Sequence, residues 1–236
     1  MSLLTKENKI RQKIAIIGSN GYVGSNLLKI AKKKNFNAIE ITRGQNIENR
    51  IQNCKYIFHC ANSGKRFNVN QNPDKDFINS VVNTKKIISY LNKNQKLILI
   101  SSISARTQLD TFYGLNRYVC ELLIRKSDLI IRLGPIFGEK KNGPLYDIIN
   151  NKNVYVDGST KSAYAHINYY VSKILKLKSK KGIIELGAKD KLLLRDFRDK
   201  IGSRSKFFGT NDDQYPLISS KDAPSVNEVY KKLNIN

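Results

Sequence analysis

Apolar residues along the chain fall into short dense runs, separated by longer stretches with helical spacing. Residues 13–18 (KIAIIG) form an unbroken, β-branched run closed by glycine, the pattern of a strand buried on both faces. Similar runs recur at 37–42 (NAIEIT), 55–60 (KYIFHC), 96–100 (KLILI) and 128–133 (DLIIRL). Between them, 25–34 is helical in spacing with a basic end, 74–91 places Phe77, Val81, Ile88 and Leu91 at helical intervals, and 111–125 is a further helix. Strands alternating with helices predict an α/β chain with a doubly wound parallel sheet. Right-handed crossovers then put any ligand at the carboxyl ends of the strands, near the point where strand order reverses. After Gly134 the pattern loosens, with Gly-Pro pairs at 134–135 and 143–144, and 210–225 is polar and poorly patterned. There is no internal repeat.

Composition narrows the class. A chain of 236 residues buries enough surface to fold without disulfide or metal. Three cysteines, Cys54, Cys60 and Cys120, are odd in number and lack metal-ligand spacing, which fits a reducing compartment. No apolar run reaches the roughly 18 residues of a membrane helix, and the opening MSLLTKENKIRQK has no signal core. A soluble, cytoplasmic protein is expected. The net charge of +23 raises nucleic acid or anionic lipid as partners. Against that, Lys, Asn, Ile and Tyr share A/T-rich codons. The basic residues are also scattered, with short clusters only at 32–34 and 178–181. The charge therefore reads as a solvated face, with nucleic acid the less favoured partner.

Candidate chemistry begins at the first turn. Gly18, Gly21 and Gly24 form G-x-x-G-x-x-G between the first strand and the first helix. A tight turn, a backbone approaching a pyrophosphate, and a helix packed closely on a strand each exclude a side chain. Helix N-terminal amides then face the phosphates. The loop predicts dinucleotide binding by Gly18, Asn20, Gly21, Tyr22, Val23 and Gly24, a plain glycine turn being the blander reading. The second strand ends Ile41-Thr42-Arg43-Gly44, with no carboxylate to hold the ribose hydroxyls of NAD. The Arg43 fork suits the 2′-phosphate of NADP. NADP is expected, with NAD as the alternative; an exposed arginine without a role is the competing reading of Arg43.

The segment from Gly18 to Gly24 (GSNGYVG) resembles the G-x-x-G-[FY]-[IV]-G opening of the extended short-chain dehydrogenase/reductase superfamily, the branch of nucleotide-sugar epimerases, dehydratases and reductases. Tyr113-Gly-Leu-Asn-Arg117, with Glu121 following, is similar to its Y-x-x-x-K helix, Arg117 standing where the family has lysine. Residues four apart share a helix face, so Tyr113 and Arg117 point the same way. The resemblance implies Tyr113 as general acid/base, Ser102 (with Ser104 as fallback) as the hydroxyl on the substrate oxygen, and Arg117 as the cation for tyrosinate and cofactor. Cys60, Ala61 and Asn62 sit where the family's H-x-A-A lines the cofactor. Residues 80–84 (SVVNT) resemble N-V-x-G-T with Ser80 replacing the asparagine. Segments 132–138, 164–168 and 182–197 are similar to later family patterns, so the likeness spans nearly the whole chain.

The implied architecture is a Rossmann-type fold, with an NAD(P)-binding domain over 1–135 and a smaller substrate-side region over 136–236 interleaved with the sheet. The implied activity is NADP-dependent oxidoreduction of a nucleotide-activated sugar, as in polysaccharide biosynthesis, by a protein for which a homodimer is a possible assembly. Reduction of a 4-keto group is favoured over epimerisation or dehydration, since NADP suits a released cosubstrate and a dehydratase would want acidic residues where Ile103-Ser104 stand. Arg117 motivates an alternative, a catalytically weak NAD(P)-binding sensor or partner-binding protein; a nucleic-acid-binding relative is less favoured still. His59 and His166 have no partner at metal-ligand spacing, so core roles and no metal are expected. No G-x-S-x-G elbow and no phosphate-binding G-x-x-x-x-G-K-[ST] loop occurs.

Overall fold

The computed structural model describes residues 12–62, 69, 71–139 and 143–233. The opening residues 1–11, on which the absence of a leader was read, lie outside them. In chain order the elements are β1 (Lys13–Ile17), α1 (Tyr22–Lys33), β2 (Asn37–Ile41), α2 (Ile47–Ile51), β3 (Tyr56–His59) and α3 (Pro73–Phe77). A π-helical segment, Ile78–Val82, continues α3 directly into α4 (Asn83–Ser89). Then follow β4 (Lys96–Ser102), α5 (Ser104–Thr107), α6 (Phe112–Leu122), β5 (Leu129–Leu133), β6 (Ile136–Phe137) and α7 (Pro144–Ile149). The chain ends with β7 (Lys161–Ser162), β8 (Ala165–His166), α8 (Ile167–Leu177), β9 (Gly182–Leu186), β10 (Leu192–Leu193), α9 (Leu194–Lys200) and α10 (Glu228–Lys232).

Six strands form one parallel sheet in the order β2-β1-β3-β4-β5-β9. The order reverses at β1, whose two neighbours are β2 and β3, and this is the switch point where doubly wound folds bind ligands. Alternate residues of the strands feed opposite layers. Ile14, Ile16, Phe58, Ile98 and Ile131 pack with α1 and α8, while Ala15, Ile17, Ile57 and Leu97 pack with α2 and α4. Burial on both faces explains why β1, β3, β4 and β5 read as continuous apolar runs, while the edge strands β2 and β9 are partly exposed. β4 extends to Ser102, two residues beyond its apolar run, because Ser101 and Ser102 still pair with Arg132 and Leu133 of β5.

A second apolar cluster is built from the later chain, with Phe137, Ile148, Val154, Tyr164, Leu194, Phe197 and Val229 at its centre. The same part of the chain returns β9 to the main sheet, beside β5. Among the described residues, no helix is long and apolar enough to cross a membrane.

Candidate active site

The glycine turn is tied to the sheet edge on both sides of the switch point. Gly18 N donates to Ile41 O of β2 at 2.8 Å, and Cys60 N donates to Ile17 O of β1 at 2.9 Å. Gly18 has φ +82°, and a Cβ there would lie 2.7 Å from Ala61 N. A Cβ on Gly24 would lie 2.1 Å from Gly18 O, so no other residue fits where α1 passes the turn. Gly21 is the helix N-cap and carries no capping side chain, which leaves the first-turn amides of Tyr22, Val23 and Gly24 without intrahelical acceptors. These features form a cradle open to an anion and fit a dinucleotide pyrophosphate. Ser19 Oγ, within the turn, and Asn62 Oδ1, three residues past β3, are both buried and make no hydrogen bond among the described residues.

Tyr22 brings its hydroxyl close to Gly138. A Cβ on Gly138 would lie 2.7 Å from its Oη, and burial, with Tyr146 and Glu139 adding, pushes its phenol up to about 12. Arg43 stands exposed two residues past β2 and makes no hydrogen bond or ion pair among the described residues. Asn62 bridges the ends of two strands, its Nδ2 donating to Ile100 O at 3.0 Å. His59 is fully buried in β3, bonded through Nε2 to Thr84 Oγ1 at 2.9 Å. Burial, with the Arg117 charge adding, holds its ring down at about 3, so it is a neutral core residue as expected.

The two serines at the end of β4 divide. Ser101 Oγ points inward and donates to Glu121 Oε1 at 2.6 Å, joining a buried network in which Glu121 pairs with Arg132 and Arg132 with Glu185. Ser102 Oγ sits at the strand end, donating to Ser104 Oγ at 3.1 Å and accepting from Ser104 N. Ser104 Oγ in turn donates to Gln214 Oε1 at 3.4 Å. Gln214, buried in a stretch that sequence patterning left blank, also donates to Thr107 and Asp212 and brings the later chain onto the serine pair. No signal in the sequence marks it.

Tyr113 lies in the first turn of α6. The helix starts at a Thr111 cap whose Oγ1 accepts from Gly114 N at 3.0 Å. Gly114 is required there, since a Cβ would lie 2.0 Å from Gln108 O. Arg117 is one turn on, and its guanidinium carbon lies 5.2 Å from the centroid of the Tyr113 ring. Arg117 is only 2 % exposed and forms an ion pair with the equally enclosed Asp76 at 3.1 Å. The sequence reading missed Asp76. Its signal is a polar stripe at helical spacing, Asp76, Ser80 and Thr84, all buried, alongside the apolar positions. Phe77, one of those apolar positions, turns out to be 45 % exposed. No group of His, Cys, Asp and Glu able to hold a metal occurs among the described residues.

Neither a family model nor a curated protein sequence matches the chain. Solved structures do. A dTDP-4-dehydrorhamnose reductase from Bacillus anthracis str. Ames, in complex with NADP, superposes with a TM-score of 0.78 at 14 % identity, over 97 % of this chain and 99 % of that one. A UDP-N-acetylglucosamine 4-epimerase from Methanobrevibacter ruminantium M1, in complex with UDP-N-acetylmuramic acid, does so at 0.67 and 15 % identity, covering 94 % and 91 %. The NAD-dependent NDP-hexosamine 5,6-dehydratase TunA, involved in tunicamycin biosynthesis, follows at 0.71 and 11 % identity, covering 96 % and 92 %. Over nearly its whole length the chain therefore has the Rossmann-type fold that these nucleotide-sugar reductases, epimerases and dehydratases share.

Proposed function

We propose that the chain is an NADP-dependent oxidoreductase of the extended short-chain type that reduces the 4-keto group of a nucleotide-activated sugar in the cytoplasm. The observation that carries this reading is the glycine cradle at the switch point, where Gly18 and Gly24 leave room for a backbone approach and nothing larger. Ser102 at the end of β4 and Tyr113 at the start of α6 are the catalytic pair, and the chain from 136 onward forms the substrate side. The reductase in complex with NADP among the structural neighbours supports the same chemistry.

A nicotinamide held by the glycine cradle would supply the hydride equivalent for the reduction. Tyr113 gives its phenolic proton to the carbonyl oxygen as that becomes a hydroxyl, and is reprotonated from solvent. Ser102 orients the same oxygen by turning its hydroxyl from Ser104 toward the substrate. The cradle amides and Arg43 hold the pyrophosphate and the 2′-phosphate. Epimerisation and dehydration are the neighbouring reactions this site would otherwise serve.

The test is NADPH consumption with a panel of 4-keto-sugar nucleotides. Wild-type turnover, reduced about 10²–10⁴-fold in Tyr113→Phe with cofactor affinity retained, is the expected result. NADPH binding without turnover of any keto-sugar would favour a second reading, a weak cofactor-binding sensor. What favours that reading is Arg117, whose charge is already taken up by Asp76. We also propose a homodimer, formed through the apolar outer face of α6.

A further inference from the structure

Each polar side chain of the short helix α5, which follows Ser102, is held by one stretch of the later chain. Ser104 Oγ donates to Gln214 Oε1 at 3.4 Å, and Thr107 Oγ1 accepts from Gln214 Nε2 at 2.9 Å. Arg106 Nη2 donates to Tyr215 O at 2.9 Å. Gln214 is in turn fixed by its backbone, its N donating to Lys161 O and its O accepting from Ala163 N, both at 2.9 Å. Ser104 and Gln214 are buried, whereas Ser102 keeps part of its surface open.

The two ends of a glutamine amide have the same shape, so its neighbours decide which end faces which way. Asp212 Oδ1 lies 2.7 Å from Nε2, and a carboxylate accepts without donating. Thr107 directs its hydroxyl proton to Ile103 O at 3.4 Å, which leaves its oxygen to accept from Nε2 as well. Both neighbours therefore require the nitrogen, and the amide oxygen is turned to Ser104. The hydroxyl proton of Ser104 goes to that oxygen, so its Oγ accepts from Ser102 at 3.1 Å. Ser104 N returns a bond to Ser102 Oγ at 3.2 Å. Donation runs one way, from Ser102 through Ser104 and Gln214 to Asp212, and bonds aligned in this sense strengthen one another.

We propose that Gln214 is a positioning residue for Ser102, acting through Ser104. It holds the Ser102 hydroxyl as a donor whose proton rests on Ser104 until a substrate oxygen takes it. A ketone oxygen and a serine hydroxyl are both neutral acceptors, so the exchange gains little when substrate binds. As the oxygen gains negative charge during reduction, the bond becomes charge-assisted and roughly twice as strong. The relay thus favours the transition state over the bound ketone. The inference rests on the reductase reading above, in which Ser102 is the catalytic hydroxyl, and adds a residue of the later chain to it.

Steady-state kinetics on the full chain test it, with NADPH and a 4-keto-sugar nucleotide, in variants checked by thermal melting. Gln214→Met should lower kcat at least about tenfold and leave the KM for NADPH unchanged. In a Ser102→Ala background the same substitution should lower kcat less than about twofold, because residues that act as a unit do not add. Gln214→Glu supplies a pH signature. Its protonated carboxyl can donate to Asp212 and accept from Ser104, and burial beside another carboxylate favours that protonated form. Relative to wild type, its kcat should lie within about threefold near about pH 6 and fall at least about tenfold by about pH 8. If Gln214→Met does not fold, Gln214→Glu at the higher pH, with and without Ser102, gives the same comparison. An equal loss in both backgrounds, or a Glu variant whose relative kcat does not change with pH, overturns the positioning role while wild-type turnover upholds the reductase reading. A wild type that turns over no keto-sugar overturns both.

Discussion

Arg43 illustrates what a single residue discloses without its partners. It lies two residues past β2, is exposed, and makes no hydrogen bond or ion pair among the described residues, so its guanidinium is available to an anion. If that anion is a 2′-phosphate, Arg43→Ala should weaken NADPH about 10–100-fold, the range for hydrogen bonds to charged groups, and leave NADH unchanged. Competitive titration of the two cofactors measures it, and an unchanged preference would remove Arg43 from the site. Residues of this kind are legible in sequence as candidates because they are marked by local position, as Gly18 and Gly24 are at one turn. Asp76 and Gln214 are harder to read: the polar stripe through Asp76 marks an inward face but not its partner, which is 41 residues away, and Gln214, whose partner is 110 residues away, has no local signal at all.

Among the elements, α6 departs furthest from the ordinary rule for a surface helix. Its charged residues, Arg117 and Glu121, are buried, and its exposed side carries Phe112, Leu115, Tyr118 and Leu122. The adjoining helical run 73–89 behaves likewise, with Asp76, Ser80 and Thr84 inside and Phe77, Ile78 and Val82 outside. Helical spacing located both helices correctly but could not say which stripe faced inward, because polar residues share the buried side with Val81, Ile87 and Cys120. The outward stripe of α6 carries no charged residue on a chain of net charge +23, the surface on which two copies can meet with least repulsion. Light scattering on a sizing column should give a dimer, and Leu115→Glu should give a monomer with unchanged melting. A monomeric wild type at micromolar concentration would remove the dimer.

At the scale of the molecule, the alternation of strands and helices predicts five of the six sheet strands, the inner ones declaring themselves as apolar runs because they are buried on both faces; β9, a half-exposed edge strand, is marked only by the resemblance over 182–197. The later chain was less legible. Its strands β6, β7, β8 and β10 are two residues each, too short for any period to show. Its second core is instead assembled from residues far apart in sequence, such as Phe137 and Val229. The charge also takes on a clearer distribution. Several cations are internally paired, including Arg117 with Asp76, Arg132 with Glu121 and Arg106 with Glu185. The exposed surplus remains to draw anionic ligands toward the protein. The account turns on the cradle at the switch point being a dinucleotide site that prefers NADP. Calorimetric titration of the full chain with NADPH and with NADH tests this directly. One NADPH per chain, bound at least about tenfold more tightly than NADH, is the predicted result. The absence of binding by either cofactor would contradict it.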